Sequence, residues 1–78
     1  MSDIRELERQ RNDLRIVYKN LTDAAVSVAR AAKYGGAKYT GVHESHRALS
    51  HTIAQVAADM DEITDQLAAW KQYEEKAE

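Results

Sequence analysis

Where the backbone can be interrupted limits what this chain can fold into. The sequence contains no proline, and its three glycines, Gly35, Gly36 and Gly41, sit close together near the middle. Glycine and proline are the residues that most readily break a helix. Nothing in residues 3–33 or 42–75 therefore opposes an unbroken helix except around that cluster. Both flanks also carry the helical signal itself. Ile4, Leu7, Arg11, Leu14, Tyr18, Leu21, Ala25, Val28 and Ala32 recur at alternating steps of three and four. Val42, His46, Leu49, Ile53, Val56, Met60, Ile63, Leu67 and Trp70 do the same. Such a repeat lays one seam along each helix. The reading is all-α: an antiparallel helical hairpin in a single domain over 1–78, with a helix over 3–33, a turn over 34–41 and a helix over 42–75. Asp3, with Glu6 three residues on, suits an N-cap for the first helix, and Thr40 or Ser45 suits one for the second.

Folding at the turn sets the two seams against each other. Ala32 then lies opposite Val42, Ala25 opposite Leu49, Leu21 opposite Ile53, Leu14 opposite Met60, Leu7 opposite Leu67 and Ile4 opposite Trp70. Arg11 interrupts the first seam opposite Ile63, its stem packed and its head reaching toward Asp59 or Glu62. Further apolar positions flank the seams: Val17, Ala24 and Ala31 on the first helix, Ala54, Ala57 and Ala68 on the second, with Ile16 on the outer face. That stripe is wider than one partner helix covers. A chain of 78 residues buries only about 60 % of its unfolded surface. The expectation is a homo-oligomer, a coiled-coil-like dimer closing into a four-helix bundle.

Composition narrows the function. With no cysteine there is neither a disulfide framework nor a Cys-based zinc site. The first residues are charged where a secretory signal is apolar. No apolar run approaches the ~20 residues that span a bilayer. These features predict a cytoplasmic protein with no membrane partner. The string His43-Glu44-Ser45-His46 has histidines at i and i+3, not the i and i+4 of a metalloprotease helix. The heptad also puts His46 on the seam and His51 on the outer face, so no metal and no other cofactor is expected. Ser45 and Ser50 have histidines nearby, yet adjacent helical residues point apart and no strained elbow or oxyanion loop is present. The chain reads as a binding protein, not an enzyme.

Charge is distributed unevenly. Residues 24–58 hold Arg30, Lys33, Lys38 and Arg47 against Glu44 alone, with all three histidines, whereas residues 59–78 are strongly acidic. Lys33, Tyr34, Gly35, Gly36, Lys38, Tyr39, His43 and Arg47 crowd the turn. Cations, aromatic faces and bare backbone amides are what phosphate and base recognition use, and the N-terminus of the second helix adds a partial positive charge. The turn is therefore the candidate site for an anionic ligand, nucleic acid, nucleotide or another phosphate-bearing small molecule. The acidic stretch Asp59–Asp65 is expected to balance Arg5, Arg9, Arg11 and Arg15 on the facing helix. Left unpaired, it instead suits a protein partner, as in a small phage or mobile-element adaptor or inhibitor.

A short helical hairpin with an aromatic residue and glycine at its turn, here Tyr34-Gly35-Gly36, resembles the Trp-x-Gly family of type VII secretion substrates and their small partners. Tyr34 stands where that family has tryptophan. The family's C-terminal Tyr-x-x-x-acid signal, begun at Tyr73, ends here on Ala77. The resemblance implies a type VII secretion-associated hairpin.

Overall fold

The computed structural model describes residues 4–77, with side chains through Glu74. Helix α1 runs Ile4–Lys33 and helix α2 runs Thr40–Ala77, joined through a short 3-10 turn at Gly36–Lys38. The two helices pack along each other as an all-α hairpin, and the described residues include no strand. At 1.5 Å per residue, the 38 residues of α2 extend roughly 57 Å. They account for most of a rod whose dimensions are 61 × 19 × 15 Å.

Two glycines end α1 for different reasons. Gly35 has φ 94°, the left-handed conformation that stops a helix cheaply only at glycine. Its N–H donates to the Ala32 carbonyl at 3.3 Å, and the Tyr34 N–H donates to Arg30 at 3.2 Å. Gly36 has an ordinary φ, but a Cβ there would collide with the backbone carbonyl of Ala31. Gly41 faces open space in the first turn of α2. That helix begins at Thr40, so the cap position falls on Tyr39, in extended conformation, and Ser45 lies well inside. The Val42 N–H donates to the Tyr39 carbonyl at 3.1 Å. The cap expected at Asp3 lies outside the described residues.

Two clefts show which seam residues of the two helices lie close together. Val28 and Ala32 share one cleft with Val42 and His46, and Leu14 shares another with Ile63. Leu7, Val56 and Leu67 are buried, at 3 %, 9 % and 2 % exposure. Most other seam residues are half-buried; Tyr18 and His46 stay exposed. On the flanks, Ala24 and Ala57 are half-buried, while Val17, Ala31, Ala54 and Ala68 are exposed. Ile16 is 54 % exposed on the outer face. The Oγ1 of Thr22 is buried without a hydrogen-bond partner.

The expected balance of charge between the helices does not form. Among the described residues, the ion pairs join Arg9 to Glu6 and Asp13, and Lys19 to Asp23, all within α1. Arg11 is half-buried but makes no ion pair with Asp59 or Glu62. Residues three or four apart on one helix already lie within reach. Local pairs thus form without the longer span to α2.

Candidate anion-binding site at the turn

The turn displays two lysine–tyrosine pairs. Lys33 Nζ lies 6.0 Å from the Tyr34 ring centroid, and Lys38 Nζ lies 5.2 Å from that of Tyr39. Tyr34 is 82 % exposed and Tyr39 60 %. Each ammonium lies near the electron-rich ring of its chain neighbour, a contact worth about 0.5–1 kcal/mol at an exposed site. A ring so placed still has a second face on which a planar group can stack.

Beside the turn the helices leave a cleft of about 550 Å³. Its apolar side consists of Val28, Ala29 and Ala32 of α1 with Val42 of α2. Its polar side comes entirely from α2: His43, His46, Arg47 and Ser50. Those four follow i, i+3, i+4 and i+7 spacing, which places them on one helical face. His43 also holds the turn. Its Nε2 lies 2.6 Å from the Ala37 carbonyl oxygen. A carbonyl only accepts, so that ring nitrogen carries the proton and donates. Among the described residues, no hydrogen bond joins the His46 ring to the Ser50 hydroxyl.

The eight residues singled out by sequence fall into three groups. His43 and Arg47 line the cleft, Lys33, Tyr34, Lys38 and Tyr39 stand on the turn outside that lining, and Gly35 and Gly36 shape the backbone. His46 and Ser50 were missed as site residues. The heptad spacing directs His46 inward. It remains exposed because α1 presents only Val28 and the small Ala29 and Ala32 to that space. Helical spacing from His43 was the signal that could have found both.

Elsewhere, a groove of about 440 Å³ is lined by Gln10, Asp13, Leu14, Asp59, Glu62, Ile63 and Gln66. It brings three carboxylates together. Near the other end of the rod Trp70 meets Tyr73 edge-on, with centroids 6.3 Å apart and ring planes at 80°. Among the described residues, no three histidine, aspartate or glutamate side chains form a metal-binding group. None of the described helices is long and apolar enough to cross a membrane. The chain matches no protein-family model, no curated protein and no solved structure.

Proposed function

We propose that this hairpin works by binding rather than catalysis, that it self-associates, and that its turn end takes an anionic ligand. One observation carries the ligand reading: the cleft sets Arg47, His46, His43 and Ser50 against an apolar wall, beside two exposed lysine–tyrosine pairs. The Arg47 guanidinium offers a planar fork that suits phosphate oxygens. The Ser50 hydroxyl supplies another donor, and Lys33 and Lys38 add charge around the rim. The apolar wall and the tyrosine rings suit a base. The ligand class this chemistry favours is a nucleotide or single-stranded nucleic acid. Self-association follows from the thin interior. Among the described residues, three buried apolar side chains are a small core for a hairpin of this length.

Fluorescence anisotropy with a labelled single-stranded oligonucleotide and with a labelled nucleotide tests the ligand reading. Affinity should fall steeply with salt, because each neutralised phosphate releases counterions. Arg47→Ala combined with Lys38→Ala should weaken binding by roughly tenfold or more. Tyr34→Ala or Tyr39→Ala should cost about 1–3 kcal/mol if a base stacks there. Absence of binding at low salt to either probe, with the helical signal intact, would remove the proposal.

The carboxylate groove supports a second reading, an adaptor for a basic protein segment. Asp13, Asp59 and Glu62 share that groove, and no cross-helix ion pair occupies it among the described residues. Asp59→Asn with Glu62→Gln should then weaken capture of an arginine-rich peptide and leave oligonucleotide binding unchanged.

A further inference from the structure

We infer that two copies of this chain pair side by side in opposite directions, with the turn of one beside the far end of the other. The inference rests on the self-association proposed above and adds its direction. Shape restricts the contact first. The accessible surface is 6129 Å², against roughly 4,800 Å² for a compact monomer of this mass. A stable protein pair covers roughly 800 Å² on each partner. An end of the rod, 19 × 15 Å, offers under about 300 Å², whereas its long side, 61 × 19 Å, offers about 1,150 Å². Only lateral stacking reaches the needed area. Val17 fits that contact: it is 42 % exposed, lies about 26 Å from the turn by helix rise, near the middle of the rod, and shares its heptad position with the exposed Ala31.

Charge then selects the direction. The half of the rod that contains the turn, residues 15–59, holds six bases and three acids, a net of +3. The other half, residues 4–14 and 60–74, holds four bases and seven acids, a net of −3. Stacking in the same direction sets like charge against like along the whole length. Stacking in opposite directions sets each basic half against an acidic half, and like-charge juxtaposition is what complementary interfaces avoid. The arrangement closes with two-fold symmetry, as most soluble dimers do. It places the two turn sites at opposite ends, so the pair binds two separate ligands.

The chain has no cysteine, and Ala37 is exposed in the turn, so Ala37→Cys accepts one spin label per copy. Dipolar spectroscopy at low salt should return a label separation of about 45–60 Å, from the length of the helices. A separation below about 30 Å overturns the direction and leaves self-association standing. Light scattering on the unlabelled chain that returns only the 8.8 kDa monomer at tens of micromolar overturns both. Salt gives an independent reading on the unmodified chain. Between 0.01 and 0.15 M the screening length falls from about 30 to about 8 Å. The dimer Kd should rise by about threefold or more over that range, and a Kd that falls instead overturns the proposal.

Discussion

The two ends of the hairpin share one spacing and reach opposite states of packing. Far from the turn, Leu7 and Leu67 are 3 % and 2 % exposed. Beside the turn, Val28 and Ala32 meet Val42 and His46 at the same heptad positions, and a cleft of about 550 Å³ remains between the helices. The repeat points side chains toward each other in both places. Whether the space closes depends on how much volume those side chains bring, since protein interiors are packed to near-crystalline density. Two leucines close the seam. Valine, alanine and histidine leave it open.

Truncation at the closed end should break that contrast most visibly. Leu67→Ala is expected to lower stability by about 2–5 kcal/mol in urea denaturation, the usual range for a buried leucine. His46→Ala should stay within about 0.5 kcal/mol, as for an exposed position. Similar losses at both sites would mean that the ends are packed alike. Leu21→Ala and Ile53→Ala, at half-buried positions, should fall toward the low end of the leucine range. As facing neighbours they should not add.

The turn comes next in size. Gly36→Val should cost about 1–3 kcal/mol through its clash with the Ala31 carbonyl. Gly35→Ala should cost about 1–2 kcal/mol through its left-handed backbone. Gly41→Ala should instead gain up to about 1 kcal/mol, because helix and open space both accept the methyl group. Thermal melts of the three variants separate these causes, and equal losses would show that the glycines act only through general turn flexibility. Thr22→Val, which removes the unpaired buried hydroxyl, should raise stability by about 1 kcal/mol in the same assay.

The smallest effect concerns acid. A hydrogen bond from Arg9, aided by one from Gln10, holds the Glu6 carboxyl below its ordinary value of 4.5. A lowered folded-state pKa contributes stability that is present above the unfolded value and is lost as pH falls through the folded one. Helicity by circular dichroism should therefore weaken slightly below pH 4.5, and Glu6→Gln should flatten that decline. An unchanged acid profile in Glu6→Gln would separate the start of α1 from this ion pair.

Much of the fold was legible because its signals are local. The lack of proline, the glycine cluster and the two ladders are properties of neighbouring residues, and α1 and α2 follow them closely. The site was legible only in part. Arg47 and His43 were found from their crowding near the turn, but His46 was assigned to the seam and Ser50 to no site at all. The ion pairs expected between the helices were also misjudged, since Arg9 finds Glu6 and Asp13 on its own helix.

By itself the sequence determined that the chain forms two helices, where it turns and which residues face the partner helix. Those outcomes depend on periodicity and on backbone freedom, which each segment carries alone. Tertiary structure decided which facing residues are sealed from water and which line a cleft. It decided too that Gly35 is the left-handed residue while Gly36 answers a close approach. Closure and close approach depend on the separation of two helices and on the combined volume between them, quantities that neither strand of the pattern contains until both are packed.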